Sequence, residues 1–291
     1  MELSDRLLMV ASMVEKGSVV ADVGCDHGYV SIYLIRAGIS PRVLAMDVNV
    51  GPLERAREHV EQAGLASYIQ LRLSDGLREM RMTEKGPEAD TLLAAGIGGR
   101  LAARILKDSA GKVAGMKTVI LQPQSEPWLV RQTLRELDYH ITDERMIREE
   151  GKFYTAIRAE NGRRPGDGKE ENGPGKRLAP PETDAEEYGE GCRREPWTRP
   201  PTGLMLTKDQ WREASDRFGP VLIRRKDSCL AAYLEEALEK HALIRGRIRM
   251  GKAGEDGCPR LAGLEKEDRL MRTMLAFIRT GTGGISGERE A

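Results

Sequence analysis

The sequence lacks closely spaced cysteines and clustered histidines. Its four cysteines, Cys25, Cys192, Cys229 and Cys258, stand far apart, and no two form a Cys-x-x-Cys pair. Structural zinc sites and the disulfide frameworks of small secreted domains both need such closely spaced sets. We therefore expect neither a metal site nor a disulfide framework.

Long apolar runs and an excess of charge of one sign are also missing. No run approaches the roughly 18 residues needed to cross a bilayer. The N-terminal segment has no basic stretch followed by an apolar core, which a signal peptide would have. The formal net charge is +0, so composition alone carries no nucleic-acid signal. We expect a cytoplasmic protein without membrane contact, and a monomer.

Residues 1–160 alternate between two hydrophobic periods. Apolar, β-branched runs predict strands at residues 19–24, 42–48, 69–74, 91–96, 118–123, 140–148 and 153–159. Helical patterns lie between and directly after the first five, most clearly at residues 52–64, 100–113 and 127–137. The alternation predicts a Rossmann-like α/β fold with a parallel sheet covered on both faces. The last two strands follow each other closely and predict an antiparallel hairpin. A seven-stranded sheet that closes in this way is typical of class I methyltransferases.

The remaining 131 residues change character twice. Residues 161–203 are rich in proline, glycine and charge, and predict a flexible insertion or linker. Residues 204–280 return to a helical pattern, with apolar stripes over 227–249 and 261–279 separated by a glycine-rich turn. They predict a C-terminal domain with a helical hairpin or coiled coil. Residues 281–291 are expected to be a flexible tail.

The first strand runs into a glycine loop, Asp22 to Gly28 (DVGCDHG), at the start of a helix. Glycines here let the backbone approach a ligand, and the helix N-terminus offers free N–H groups. Such a loop can hold a pyrophosphate or an amino-acid carboxylate. The spacing is a poor match to the dinucleotide fingerprint G-x-G-x-x-G. An acid two residues before the first glycine is typical of methyltransferases, where it binds the methionyl ammonium group. The cofactor that carries this group in methyltransferases is S-adenosylmethionine. We predict that it is contacted by Asp22, Gly24, Cys25, Asp26, His27 and Gly28.

Three further strand ends carry candidate contacts. Asp47, followed by Val48, can accept the hydroxyls of an adenosine ribose, although NAD has the same ribose. Asp75, followed by Gly76, can accept the amine of the cofactor's adenine; the alternative is an Asp-Gly turn. Ala95 and Gly96 stand where amino-group methyltransferases acting on nucleobases carry Asn/Asp-Pro-Pro-aromatic. Their small size leaves room for a planar substrate, or serves only tight packing.

The sequence resembles the bacterial tRNA (adenine-22 N1)-methyltransferases along nearly its whole length. The resemblance rests on DVGCDHGY from Asp22 and on five further motifs: LSDRL from Leu3, AGIGG from Ala95, LQPQ from Leu121, EGKFY from Glu150 and FGP from Phe218, the last followed by Lys226. It implies an S-adenosylmethionine domain at 1–160, helical residues that help to hold tRNA, and methylation of N1 of adenine 22. Cys25 departs from the family, which usually has Ser or Thr there, and the 161–203 insertion is longer than expected.

N1 of adenine carries an in-plane lone pair, so an enzyme mainly needs to align it with the methyl group. The base must be unpaired or flipped out to expose this edge. Asp26 and His27 are the candidate catalytic residues; the alternative is that they only shape the loop. Candidate tRNA contacts are Arg6, the cluster Arg224, Arg225 and Lys226, and the cluster Arg245, Arg247 and Arg249. Solvated helix faces are the alternative for both clusters.

Three other functions are compatible with parts of the sequence. One is a methyltransferase that acts on a protein or on another RNA base. Another is a nicotinamide-dependent oxidoreductase, which the loop spacing and the closing hairpin disfavour. The third is a non-catalytic RNA-binding relative.

Overall fold

The computed structural model describes residues 3–162, 198–251 and 259–280. The strands are β1 (Val20–Val23), β2 (Val43–Asp47), β3 (Ile69–Leu73), β4 (Met82–Thr83), β5 (Gly86–Pro87), β6 (Thr91–Gly98), β7 (Thr118–Ser125), β8 (Tyr139–Glu149) and β9 (Lys152–Asn161). The helices are α1 (Asp5–Ala11), α2 (Tyr29–Arg36), α3 (Val50–Gln62), α4 (Gly99–Asp108), α5 (Ala110–Val113), α6 (Pro127–Glu136), α7 (Lys208–Phe218), α8 (Pro220–Arg224), α9 (Ser228–Gly251) and α10 (Pro259–Arg279).

Seven strands form one sheet in the order β3-β2-β1-β6-β7-β9-β8. The first five of these pair in parallel, and β9 runs antiparallel to both β7 and β8. This confirms the predicted Rossmann-like sheet with a closing hairpin. The strand order reverses between β1 and β6, which is where ligands bind in open α/β sheets.

The central strands are buried on both faces because their side chains alternate between two cores. Val20 and Val43 pack with α1, α2 and α3, whereas their neighbours Ala21 and Leu44 pack with α4 and α6. A strand that is covered twice reads as a continuous apolar run, which is why these strands were predictable. The small hairpin of β4 and β5 was not predicted, and the helical pattern at 100–113 divides into α4 and α5 at Ser109.

Helices α7 to α10 share a third core around Trp211, Leu222, Leu230 and Met274. Helices α9 and α10 pack antiparallel, which agrees with the predicted hairpin. The glycine-rich turn, most of the predicted 161–203 linker and the 281–291 tail lie outside the described residues.

A buried ion pair joins the helical residues to the sheet. Arg131 of α6 donates from Nε to Glu144 of β8 at 2.7 Å, and both side chains are about 1% exposed or less. Arg131 also donates to the backbone oxygen of Asp216, and Glu144 accepts from the backbone N–H of Val221 at 2.9 Å. Gly219 lies against this pair with a φ of +93°. A Cβ there would approach Glu144 Oε2 to 2.7 Å, so this joint requires glycine.

We expect Glu144→Ala to lower the free energy of unfolding by about 3–5 kcal/mol, because it leaves the Arg131 charge buried without its partner. The matched control is Glu136→Ala. Glu136 pairs with Lys107 at 2.8 Å on the surface, so its loss should cost at most about 1 kcal/mol. Urea unfolding followed by circular dichroism measures both. Equal losses for the two variants would show that the buried pair does not hold the joint.

Candidate active site

A cavity of about 410 Å³ opens at the carboxyl ends of β1, β2 and β6. Its lining combines carboxylates, amides and apolar side chains: Arg6, Leu7, Asp22, Gly24, Cys25, Asp26, His27, Tyr29, Val30, Asp47, Val48, Asn49, Pro52, Ala95, Gly96, Ile97, Leu101 and Gln124. Nine of the twelve predicted cofactor contacts are among these residues. The exceptions are Gly28, Asp75 and Gly76.

Asp22 contributes a carboxylate from the end of β1 and is 3% exposed. It accepts a hydrogen bond from Ser31 Oγ at 2.6 Å. Burial, with a smaller contribution from the nearby Asp47 charge, raises the pKa of Asp22 to about 6 against the opposing effect of the Ser31 hydrogen bond. A cation that enters the cavity would compensate the buried charge, so the site favours a ligand with an ammonium group.

Asp47 ends β2 and holds the loop that follows β1. Its Oδ2 accepts from the backbone N–H of Asp26 at 3.2 Å, and its Oδ1 accepts from the backbone N–H of Asn49 at 2.9 Å. Each carboxylate oxygen has a second lone pair, so both can also accept from a ligand hydroxyl. The arrangement puts a cation-binding and a diol-binding carboxylate on adjacent strands.

The loop itself turns through three residues with left-handed backbone: Gly24, Asp26 and Gly28. A Cβ at Gly28 would lie 3.2 Å from the Ala56 Cβ of α3. Gly28 therefore serves close packing between α2 and α3 and lies outside the cavity lining. Cys25 is buried beside Asp22, and burial raises the pKa of its thiol, so it stays neutral and is no nucleophile.

The structure does not bring Asp75 and Gly76 into the cavity. The Asp75 carboxylate forms a two-point ion pair with Arg104 of α4, with N–O distances of 3.0 and 3.2 Å. Gly76 packs against Ile105 of the same helix. Both oxygens of the Asp75 carboxylate are thus engaged by Arg104, and the expected contact with adenine would have to replace this ion pair. The sequence around Asp75 does not predict the pair.

The candidate catalytic pair lies at the cavity wall. The Asp26 side chain is 68% exposed, and His27 Nε2 lies 3.5 Å from Asp26 Oδ1. The His27 ring stacks on Tyr29, with centroids 5.5 Å apart, and Tyr29 in turn stacks on His59. His27 Nδ1 is buried and has no hydrogen-bond partner among the described residues.

Arg6 reaches into the cavity wall from α1. Its Nη1 donates to Gln122 Oε1 at 2.8 Å, and its guanidinium lies 5.3 Å from the centre of the Tyr154 ring. Its backbone N–H donates to Glu149, and Gln122 Oε1 also accepts from the Gly96 N–H at 3.0 Å. Sequence reasoning missed the contribution of Gln122, although the LQPQ and EGKFY motifs already marked this region.

Most of the predicted tRNA contacts already have partners inside the protein. Arg224 lies over the Trp211 ring, Arg225 pairs with Asp143, Lys226 lies over the Phe277 ring and Arg245 pairs with Asp268. Composition could not show these contacts, and Arg224 and Arg225 remain exposed beside their partners. Arg247 is exposed, and the side chain of Arg249 lies outside the described residues.

A larger cleft of about 760 Å³ lies between α6 and α7. Its Asp216 is held by Arg135 at 2.6 Å, and its Arg217 pairs with Glu267 at 2.7 Å. Among residues 3–162, 198–251 and 259–280, no three His, Cys, Asp or Glu side chains are grouped to hold a metal. No helix in these ranges is long and apolar enough to cross a membrane.

The sheet order, the closing hairpin and the two carboxylates at adjacent strand ends define a class I methyltransferase. The profile of the family described as "Methyltransferase domain" matches residues 3–157. The tRNA (adenine(22)-N(1))-methyltransferase of Bacillus subtilis is 37% identical over 164 residues, which is 56% of this chain and 67% of that protein. This chain belongs to the methyltransferase-domain family and, within it, to the tRNA (adenine(22)-N(1))-methyltransferase family.

Solved structures extend the similarity to the helical residues. The Bacillus subtilis tRNA methyltransferase TrmK matches with a TM-score of 0.72 and 27% identity over 94% of this chain and 99% of that one. A Streptococcus pneumoniae structure, described as a tRNA methyltransferase in complex with S-adenosyl-L-methionine, matches with a TM-score of 0.69 and 26% identity. It covers 94% of this chain and 100% of that one.

We expect the affinity for S-adenosylmethionine to fall as the pH is lowered, because only the ionised Asp22 binds an ammonium group. With its pKa at about 6, the affinity at about pH 5 should be roughly tenfold below that at about pH 7.5. Calorimetry across this range measures the effect. Asp22→Asn should bind more weakly at neutral pH and lose most of the pH dependence. A flat profile for the unaltered protein would remove Asp22 from the binding site.

We expect Asp47→Ala to weaken S-adenosylmethionine binding by about 2 kcal/mol, through loss of charge-assisted hydrogen bonds. Asp75→Ala is the matched control, since Asp75 lies outside the cavity lining and should leave the affinity within about threefold. Calorimetric titration of both variants decides the assignment. If Asp75→Ala binds as weakly as Asp47→Ala, the cavity assignment of these two acids is wrong.

Proposed function

We propose that this chain transfers a methyl group from S-adenosylmethionine to N1 of adenine 22 in tRNA. The observation that carries the proposal is the pairing of Asp22 and Asp47 in one cavity. It is supported by membership of a family in which a relative, 37% identical, is named for this reaction. The same cavity gives no support to a nicotinamide cofactor, because its loop lacks the dinucleotide spacing.

The residues of the cavity fit S-adenosylmethionine by the chemistry of their donors and acceptors. Asp22 takes the methionyl ammonium group, and Asp47 takes the ribose hydroxyls, with Val48 beside it. The open backbone around Gly24, Ala95 and Gly96 lets the ligand lie close to the strand ends. When bound, S-adenosylmethionine supplies a methyl group on a positively charged sulfur.

The accepting nitrogen needs little chemical help. The N1 lone pair of adenine forms the new N–C bond in line with the C–S bond that breaks, and the electron pair of that bond stays on sulfur. No proton must leave first, so the chain mainly orients the base and excludes water. The positive charge moves from sulfur to the adenine ring.

We assign Asp26 and His27 to this developing charge. The exposed Asp26 carboxylate can stabilise a cationic ring at the cavity mouth, and His27 Nε2 lies 3.5 Å from that carboxylate. The stacked rings of Tyr29 and His59 keep His27 in place.

We divide the chain into a methyltransferase domain at 1–160 and a helical domain at 204–280 that helps to hold tRNA. Arg6 can meet the substrate directly, because it lies in the cavity wall. Arg247 is exposed and can contact a phosphate without reading sequence. We also propose that the enzyme acts on tRNA in the cytoplasm and as a monomer.

Methyl transfer to transcribed tRNA tests the proposal. We expect a transcript with adenine at position 22 to be labelled from radioactive S-adenosylmethionine. The same transcript with guanine there should not be labelled, because N1 of guanine carries a proton and has no free in-plane lone pair. Equal labelling of the two transcripts would refute adenine 22 as the target.

A further inference from the structure

Gln124 lies at the end of β7, beside the turn at Gly96. A Cβ built at Gly96 would lie 3.6 Å from Gln124 Nε2 and 3.5 Å from Arg6 Nη1. The Gln124 amide therefore borders the strand end where the small residues leave room for a substrate. Its side chain is exposed in the cavity lining, and no described residue forms a hydrogen bond with it.

Gln122, two residues earlier, differs from Gln124 in that its side chain is buried and hydrogen-bonded. It is fully buried, and its Oε1 accepts from both Arg6 Nη1 and the Gly96 N–H. Gln122 therefore fixes the cavity wall, and its carbonyl oxygen is already used. Of the two amides in this motif, Gln124 is the one that can serve a ligand.

We propose that Gln124 binds the N6 and N7 edge of the target adenine and so determines which ring nitrogen is methylated. The inference rests on the proposed function. Adenine carries in-plane lone pairs at N1, N3 and N7. N1 must face the methyl group, so the protein can hold the base only by another edge. A glutamine amide matches the edge formed by N6 and N7, since its oxygen accepts from the N6 amine and its NH₂ donates to N7.

This pairing has two consequences for the reaction. It occupies the N7 lone pair, which removes a competing nucleophile, and it orients N1 towards the methyl donor. Ile97, Leu101 and Tyr29 line the same cavity and supply apolar and aromatic surfaces for the faces of the base. Edge recognition and stacking together hold the base without touching N1.

The test compares adenine with 7-deazaadenine at position 22 of a ligated tRNA, because the analogue lacks the N7 acceptor. For the unaltered chain, we expect kcat/KM to fall about tenfold with the analogue. Gln124→Ala should lose about tenfold with adenine and show no further loss with the analogue. Gln62→Ala, an exposed glutamine at the end of α3, should behave as the unaltered chain does. Calorimetry with S-adenosylmethionine should give the same affinity for all three proteins.

If Gln124→Ala and the analogue each reduce kcat/KM and their effects multiply, the amide does not contact N7 and the assignment is overturned. The same conclusion follows if Gln124→Ala retains full activity on adenine. If the unaltered chain fails to methylate adenine 22 at all, the proposed function itself is refuted, and this assignment with it. Lower S-adenosylmethionine affinity in Gln124→Ala would instead place Gln124 in the cofactor site and also overturn the assignment.

Discussion

The buried charge of Asp22 is the constraint on which the rest of the site depends. A carboxylate that is 3% exposed and has one hydroxyl partner is costly to ionise, and burial raises its pKa to about 6. The cost is offset when a cation occupies the cavity. Asp47 then holds the loop and offers a second set of acceptors on the next strand. The fold thus prepares a place for a ligand that carries both an ammonium group and a diol.

Much of this arrangement was predictable because its causes are local. The buried strands are apolar runs in the sequence. Asp22 and Asp47 stand at the carboxyl ends of two such runs, β1 and β2. Parallel strands bring such ends to one edge of the sheet, so spacing alone predicted the shared cavity. Gly28 shows the limit of this reasoning, since its small size serves the packing of Ala56 on a helix that follows later in the chain.

The contacts that sequence reasoning missed join distant parts of the chain. Arg6 is held in place by hydrogen bonds to Gln122 and Glu149, which lie 116 and 143 residues away in the sequence. Asp75 forms an ion pair with Arg104, and the sequence around Asp75 does not predict that ion pair. The basic residues of the helical domain show the same limit. The partners of Arg224, Arg225 and Lys226 come from other elements, so the run itself could not show them.

The identity of the methylated nitrogen is the sharpest test of methyl transfer to N1 of adenine 22. After reaction with S-adenosylmethionine, a tRNA substrate would be digested to nucleosides at neutral pH and separated by liquid chromatography with mass detection. We expect one new nucleoside, 1-methyladenosine, and its absence when position 22 holds guanine. N6-methyladenosine would contradict direct attack by the N1 lone pair, and a methylated guanosine would contradict adenine as the substrate.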